Sequence, residues 1–247
     1  MFQFAARQAT LPIAGSSKLF PIHRIYCIGR NYREHALEMG HNPGSGRTRE
    51  AEPFHFQKPA DAVTTSPSVP YPTRTSNLHY EAELVVAIGK QGRNLQTLEE
   101  AHELIFGYAL GCDLTRRDLQ NDAKKLSRPW DASKGFDDSA PMTAIVRKCD
   151  MHGRETSPAT DDEFWNTEIK LWVNDELKQS STLDQMIWTV PEIIQYLSRY
   201  FILLPGDLIM TGTPAGVGPL HVGDHVRIEC GDQLPECTFT IVAPRDE

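Results

Sequence analysis

The 247-residue sequence predicts a β-rich α+β domain built of mixed sheets. Segments with the apolar alternation of strands outnumber helical segments, and the two kinds do not alternate regularly, which argues against a doubly wound parallel sheet. Five prolines lie between residues 53 and 72. Because proline has no backbone donor, that stretch suits short strands and turns rather than a helix.

The N-terminal part of the chain contains the first predicted elements. Residues 1–20 show little periodicity and predict an N-terminal arm or an early short strand, followed by a single domain over residues 21–247. Residues 24–29 form an apolar strand that ends in glycine. A helix is then expected over residues 31–39, with Gly40 at the position where helix C-termini favour glycine.

Residues 79–88 predict a strand with two carboxylates on one face. Apolar residues recur in this strand with a period of two: Leu78, Tyr80, Ala82, Leu84, Val86 and Ile88. The other face carries Glu81 and Glu83 and then turns apolar, so the carboxylates are expected to point into a partly enclosed cavity. Two carboxylates in a low dielectric repel each other, and a hard cation such as Mg2+, Mn2+ or Ca2+ would relieve that repulsion. The alternative is a half-exposed strand with two solvated glutamates.

The middle of the chain contains two predicted helices with a strand between them. Thr97 and Glu100 form a capping box, which predicts a helix to about residue 105. Residues 107–114 predict a buried strand that ends with Asp113. Thr115 is then expected to cap a helix that runs to about residue 126.

The C-terminal half continues the strand-rich pattern. A hairpin is expected over residues 168–179, and an amphipathic helix is expected to begin at Thr189, with Pro191 and Glu192 in its first turn. Two similar Gly-Asp turns, at residues 205–207 and 222–224, each lead into a strand.

Composition excludes several classes of function. The net charge of -8 without a basic stripe argues against a nucleic-acid partner. No apolar run approaches the roughly 20 residues of a membrane span, and the N-terminus lacks the order of a secretory signal. The five cysteines are dispersed and form no C-x-x-C pair, so they predict reduced thiols in a cytoplasmic protein.

Several polar residues are candidates for chemistry. Asp113 is the natural third metal ligand beside Glu81 and Glu83, since Thr115 is free to cap the next helix; the alternative is that Asp113 is itself the cap. His35 and Glu38 are three residues apart on one helix face and have the spacing of a general-base pair, although such a pair is more often a solvated surface contact. The glycine-rich loop at residues 211–218 could present backbone donors to an anion but lacks the lysine of a phosphate loop.

Several stretches together resemble the short acylpyruvase branch of the fumarylacetoacetate hydrolase family. The resemblance covers about residues 20–242. The stretches are GRNY at residues 29–32 with His35 and Glu38, FQKPAD at 56–61, HYEAEL at 79–84, DLTRRD at 113–118, Lys134, PGD at 205–207 and TGTP at 211–214. Each piece alone is weak, whereas the ordered set is highly specific.

The resemblance implies a roll or barrel of mixed β-sheets with a few flanking helices, usually a homodimer, and an octahedral Mg2+ or Mn2+ site in which Ca2+ can substitute. It implies that the enzyme hydrolyses the C–C bond of a 2,4-diketo acid, with fumarylpyruvate of gentisate-type aromatic catabolism as the expected substrate. The residues that match the family's site are Glu81, Glu83 and Asp113 for the metal, His35, Glu38 and Lys134 for catalysis, and Arg30, Arg117, Gln120, Gly212 and Thr213 for substrate.

The substrate's distal carboxylate needs local positive charge in an acidic protein. Candidates for this role are Arg30, Arg33, Lys58 and Arg117, with Arg47 and Arg49 on a segment over residues 41–52 that predicts a mobile loop or lid. That segment and the polar residues 150–163 depart from the family pattern, which bears on substrate identity. The alternatives within the family are oxaloacetate decarboxylation and isomerisation of a hydroxymuconate-type diacid; outside enzymes, the alternative is a non-catalytic metal-binding protein.

Overall fold

The computed structural model describes residues 8–41, 52–151 and 162–245. The predicted lid with Arg47 and Arg49, and most of the polar segment at 150–163, lie outside the described residues. The helices are Arg33–Glu38 (α1), Leu98–Glu103 (α2), Arg117–Lys125 (α3), Asp131–Lys134 (α4), Asp162–Trp165 (α5) and Val190–Tyr200 (α6). The strands are Thr10–Pro12 (β1), Leu19–Pro21 (β2), Ile25–Gly29 (β3), Phe54–Lys58 (β4), Val63–Thr64 (β5), Ser68–Pro70 (β6), Leu78–Tyr80 (β7), Ala82–Ile88 (β8), Ile105–Cys112 (β9), Thr115–Arg116 (β10), Ala140–Pro141 (β11), Val146–Arg147 (β12), Glu168–Val173 (β13), Glu176–Thr182 (β14), Leu208–Met210 (β15), Gly218–Leu220 (β16), His225–Cys230 (β17) and Cys237–Val242 (β18).

Two larger sheets carry the fold. A six-stranded sheet has the order β12-β9-β8-β15-β3-β4, in which β15 and β3 are parallel and the other pairs antiparallel. A five-stranded sheet has the order β14-β13-β17-β18-β6, in which only β18 and β6 are parallel. A three-stranded sheet of β10, β7 and β16 lies beside them. The predicted β-rich α+β fold of mixed sheets is therefore confirmed.

The six-stranded sheet has apolar core on both faces. Along β8, Leu84, Val86 and Ile88 belong to the main core cluster, whereas Val85 and Ala87 face a second cluster. The predicted period of two is therefore confirmed. Both faces of this strand are fully buried, so neither is a solvated edge.

The predicted single strand over residues 79–88 is two strands that belong to different sheets. β7 ends at Tyr80, β8 begins at Ala82, and Glu81 lies at the corner between them. The alternation of apolar residues continues across this corner, which is why the break leaves no signal in the sequence. The corner places the side chain of Glu81 where the two sheets meet.

The first strands form a hairpin against the second core cluster. β1 pairs antiparallel with β2, and Leu11 and Phe20 are buried among the residues of that cluster. The predicted early short strand is therefore confirmed, while the division between residues 1–20 and 21–247 stays a prediction.

Capping boxes mark the start of two of the described helices. Thr97 and Glu100 form the predicted capping box of α2, and Thr189 forms another with Glu192 at α6. The prediction that Thr115 caps α3 is wrong. Thr115 pairs with His79 as part of β10, and its hydroxyl donates to the carbonyl oxygen of Asp113 at 3.0 Å. The helix α3 therefore begins at Arg117, with Arg116 rather than Thr115 at the N-cap position.

The predicted hairpin is also present, as β13 and β14, and its turn contains two residues with left-handed φ, Asn174 and Asp175. None of the helices among residues 8–41, 52–151 and 162–245 is long and apolar enough to cross a membrane.

Candidate metal centre and active site

Glu81, Glu83 and Asp113 meet at one end of the β8–β9 pair. Ala82 is the partner of Cys112 in the ladder, and the backbone N–H of Asp113 donates to the carbonyl oxygen of Glu81 at 2.8 Å. The antiparallel register therefore brings a residue after β9 beside the residues that start β8. All three side chains are buried, and one carboxylate oxygen from each lies within 4.8 Å of the others.

Three buried cations surround the three carboxylates. The Nζ atom of Lys134 donates to Glu81 at 2.7 Å and to Asp113 at 2.6 Å. Arg117 donates to the second oxygen of Glu81, and Lys58 Nζ lies 2.9 Å from Asp113 Oδ1. Each cation is almost completely buried, so each loses hydration that the carboxylates replace.

The charges around Glu81 and Glu83 affect the two carboxyls differently. Burial raises the pKa of Glu81, but the nearby charges of Lys134 and Arg117 outweigh it, so the pKa is lowered. Burial and the negative charges of Asp113 and Glu81 raise the pKa of Glu83 well above its ordinary value. The main compensation for Glu83 is the backbone N–H of Gly212, which donates to its Oε2 at 2.7 Å. An additional cation would stabilise the ionised form of Glu83.

The three carboxylates fit a hard divalent ion. The donors are all oxygen, which is the set that Mg2+ and Mn2+ prefer. One oxygen from each carboxylate lies within 4.8 Å of the others, so a single ion could be shared among the three. Moreover, Asp113 Oδ1 is buried without a hydrogen-bond partner among the described residues, because Lys58 lies close to it but outside hydrogen-bond geometry. That oxygen has a lone pair available for a ligand.

His35 faces the same cavity as the three carboxylates. Its Nδ1 lies 3.2 Å from Glu38 Oε2, and the side chain of His35 is nearly buried while that of Glu38 is one-third exposed. Burial lowers the pKa of His35, which the negative charges of Glu81 and Glu38 oppose only in part. The imidazole is therefore neutral at pH 7, and donation from Nδ1 to Glu38 leaves Nε2 able to accept a proton.

The glycine-rich loop contacts both ends of the α1 segment. The backbone N–H of Gly216 donates to Glu38 at 3.2 Å, and the side chain of Asn31 donates to the carbonyl oxygen of Thr211 at 2.8 Å. Gly212 has a φ of +100°, and a Cβ there would lie 2.7 Å from Cβ of Asn31. Only glycine fits this approach without strain.

Gln179 is a site residue that the sequence analysis missed. Its Oε1 accepts from the backbone N–H of Ala82 at 3.0 Å, between Glu81 and Glu83. Its Nε2 donates to Thr213 Oγ1 at 2.9 Å and to the carbonyl oxygen of Pro214 at 2.8 Å. This buried amide joins β8, which carries Glu83, to the loop. A single glutamine in a strand carries no sequence signal for such a role.

The predicted substrate residues differ in their surroundings. Arg30, Arg117, Gln120 and Thr213 line the cavity. Arg117 is already engaged, since it donates to Glu81, to Gln120 at 2.6 Å and to His79 at 3.4 Å.

Lys58, a candidate for the distal carboxylate, is instead buried beside Asp113 and donates to the carbonyl oxygens of Leu114 and Lys134. It is not among the residues that line the cavity, so that assignment of Lys58 is not supported.

A buried set of oxygen ligands that opens onto a cavity with a neutral histidine defines the class: a protein built around a divalent-metal centre on a mixed-sheet β-rich fold. The chain belongs to the fumarylacetoacetate hydrolase family, because residues 24–242 match the family described as "Fumarylacetoacetate (FAA) hydrolase C-terminal". The predicted family resemblance is thus confirmed.

Individual relatives agree with this assignment. A fumarylpyruvate hydrolase of Ralstonia sp is 47% identical over 179 residues, which cover 71% of this chain and 87% of that protein. A mitochondrial oxaloacetate decarboxylase of Dictyostelium discoideum is 38% identical over 210 residues, 84% of this chain and 88% of that protein. The crystal structure of fumarylpyruvate hydrolase from Pseudomonas aeruginosa in complex with Mn2+ and pyruvate has a TM-score of 0.87 at 41% identity and covers 98% of this chain and 100% of that one.

Proposed function

We propose that this chain is a metal-dependent hydrolase that cleaves the C–C bond of an acylpyruvate, converting fumarylpyruvate and water to fumarate and pyruvate. One observation carries the proposal: the neutral imidazole of His35, which pairs with Glu38, lines the same cavity as Glu81, Glu83 and Asp113. The similarity to fumarylpyruvate hydrolases of Ralstonia sp and Pseudomonas aeruginosa, the latter with Mn2+ and pyruvate bound, supports it.

Glu81, Glu83 and Asp113 would hold a Mg2+ or Mn2+ ion. When bound, such an ion polarises the carboxylate and 2-oxo group of the substrate and stabilises enolate charge. The backbone N–H of Gly212 and the side chain of Gln179 fix the two strands and the loop that present these ligands. Thr213 Oγ1 accepts from Gln179, so its own hydrogen is free to donate to a substrate oxygen in the cavity.

His35 would act as the general base. Its Nε2 takes a proton from water while the water oxygen forms a bond with C4 of the diketo acid. Glu38 accepts from Nδ1, which fixes the tautomer and stabilises the imidazolium. The C3–C4 bond then breaks, its electron pair stays on C3 as an enolate, and a proton delivered to C3 completes pyruvate. The ammonium of Lys134, beside Glu81 and Asp113, adds positive charge near the enolate oxygen.

The assay that tests the proposal follows ultraviolet absorbance of fumarylpyruvate, maleylpyruvate, acetylpyruvate and oxaloacetate with Mg2+ or Mn2+, before and after chelation. We expect metal-dependent loss of fumarylpyruvate to be fastest, with pyruvate and fumarate formed in equal amounts. If none of the four compounds shows a metal-dependent loss of absorbance, the assignment is overturned and a non-catalytic metal-binding protein is favoured.

A second candidate is decarboxylation of oxaloacetate, which the Dictyostelium discoideum relative favours. That reaction and the isomerisation of a hydroxymuconate-type diacid also pass through an enolate but need no attacking water. Carbon dioxide release from oxaloacetate, together with inert fumarylpyruvate, would support the decarboxylase. The predicted homodimer and cytoplasmic location stay predictions.

A further inference from the structure

Part of the cavity wall carries positive charge that the metal centre does not use. Four cations among the described residues line the cavity, and two of them, Arg117 and Lys134, are paired with Glu81 or Asp113. Arg30 and Lys124 have no carboxylate partner among residues 8–41, 52–151 and 162–245. Both are half-buried, so solvent compensates their charges only in part.

The two unpaired cations lie at the ends of one aromatic layer. Arg30 Cζ is 5.7 Å from the ring centroid of Phe54, and Lys124 Nζ is 5.3 Å from that of Trp130. The rings of Phe54 and Trp130 meet edge to face with centroids 5.1 Å apart, and Phe56 packs against Trp130 at 5.5 Å. Cation–π contacts keep both charges in place without neutralising them.

Arg30 is held in an unusual backbone conformation. Its φ is +59°, a left-handed value that is rare for long side chains. The next residue, Asn31, is fully buried and bonds Trp188 and Thr211 with its side chain, so the surroundings enforce this conformation. Such enforced strain is concentrated at ligand sites.

We infer that Arg30 and Lys124 form a subsite for a second carboxylate of the substrate, which makes the substrate class dicarboxylic acylpyruvates. This inference rests on the proposed hydrolase function. Fumarylpyruvate carries its distal carboxylate beyond a double bond conjugated with C4, so that end is flat, and Phe56 and Trp130 offer flat apolar surface in the same wall. An acylpyruvate without a distal carboxylate leaves both cations unpaired.

The electrostatics of Lys124 agree with this placement. Burial, followed by the charges of Arg117 and Arg30, lowers the pKa of Lys124 to about 8. A carboxylate bound between Arg30 and Lys124 would relieve that repulsion and keep the ammonium charged.

The test compares Lys124→Met with Lys125→Met in the metal-loaded enzyme. Methionine keeps the apolar stem over Trp130 and removes the charge, while Lys125 is the adjacent, mostly exposed lysine of α3, paired with Asp122. Steady-state kinetics are measured with fumarylpyruvate and with acetylpyruvate, which has the same diketo acid core and no distal carboxylate. Loss of a charge-assisted contact predicts that kcat/KM of Lys124→Met for fumarylpyruvate falls roughly tenfold to a hundredfold more than for acetylpyruvate. Lys125→Met should leave the ratio between substrates within about twofold.

Equal losses on both substrates, or no loss on either, would overturn the subsite. Calorimetric titration of the Mn2+-loaded protein with fumarate and with crotonate, a monocarboxylate of the same length, provides a readout that does not depend on turnover. We expect wild type to prefer fumarate and Lys124→Met to lose that preference. If wild type hydrolyses neither diketo acid, the proposed function fails, while the titration still decides the subsite: an unchanged fumarate preference in Lys124→Met overturns it.

Discussion

Replacement of His35 by glutamine removes the ring nitrogen that would accept the proton from water. General-base catalysis is worth about 10²–10⁴ in rate, so kcat should fall by that factor, or about 2.7–5.5 kcal/mol in the barrier. The imidazole is only 8% exposed, so a much smaller residue would leave a buried cavity. Glutamine is chosen because it fills most of that space. Metal occupancy and KM should change little, since His35 is not among the carboxylate ligands.

Replacement of Glu38 by glutamine separates orientation from proton transfer. A hydrogen bond to a charged group contributes about 1.5–3 kcal/mol, and the one-third exposure of Glu38 reduces this to about 1 kcal/mol, or a roughly fivefold loss of kcat. The pH profile gives the sharper result. Activity needs neutral imidazole, so kcat/KM rises as pH passes upward through the pKa of His35, which burial places below its ordinary 6.5.

Because the charge of Glu38 raises the pKa of His35, its removal should move the acid limb of the kcat/KM profile to lower pH. The profiles are measured at saturating Mn2+, with occupancy followed by spin resonance. Glu34→Gln, an exposed change on the same helix, is the matched control and should leave the limb in place. The reasoning is refuted if His35→Gln retains a tenth of wild-type kcat at full occupancy, or if the acid limb of Glu38→Gln moves to higher pH.

Three further predictions concern the metal centre and the loop beside it. Chelation should abolish turnover, and added Mg2+ or Mn2+ should restore it. An ion concentration of 100 times Kd should raise the free energy of unfolding by about 2.7 kcal/mol, which thermal denaturation measures. Equal melting temperatures with and without the ion would contradict this. Gly212→Ala should lower the free energy of unfolding by about 1–3 kcal/mol and weaken metal binding, because its φ is +100° and its N–H donates to Glu83; calorimetric binding identical to wild type would contradict the role of the loop. Gln179→Leu leaves the N–H of Ala82 and the carbonyl of Pro214 unpaired. We therefore expect the free energy of unfolding, measured by chemical denaturation, to fall by about 2–4 kcal/mol and KM to rise. A loss of stability with an unchanged KM would show that the role of Gln179 is purely structural.

Local signals account for what could be predicted from the sequence. The capping boxes at Thr97 and Thr189 depend on residues three apart, so the helices they start could be located directly. The period-2 pattern of β8 and each of the polar motifs likewise lie within short stretches. The three carboxylates could be grouped because two of them lie two residues apart at the start of β8 and the third directly follows β9, the next strand along the chain.

Contacts between distant residues account for what could not be predicted. Thr115 has the chemistry of a helix cap, but pairing with His79 draws its backbone into a strand. Gln179 and Ala82 are 97 residues apart, and Lys58 lies 55 residues before Asp113, so only packing brings them together. From the sequence alone, a lysine in a strand such as Lys58 is expected to be exposed, because the carboxylate that compensates its burial is distant along the chain.

The balance of buried charge bears on how an acidic chain would bind the acidic substrate proposed for it. When a divalent ion is bound, the ionised carboxylates Glu81, Glu83 and Asp113 carry -3 and Lys58, Arg117 and Lys134 carry +3, so these side chains are together neutral in a protein of net charge -8. The ion then supplies +2 for the attraction of a 2-oxo carboxylate. Without the ion, the raised pKa of Glu83 favours its protonated form, and the same side chains carry only +1.

Arg30 and Lys124 supply +2 at the aromatic wall without any ion. A dicarboxylate thus meets the full positive charge at both ends only in the metal-loaded protein, whereas fumarate can still reach the aromatic wall after chelation. Binding of an intact diketo acid should for this reason depend strongly on the ion, and binding of a simple dicarboxylate should be weakened by its removal but not abolished.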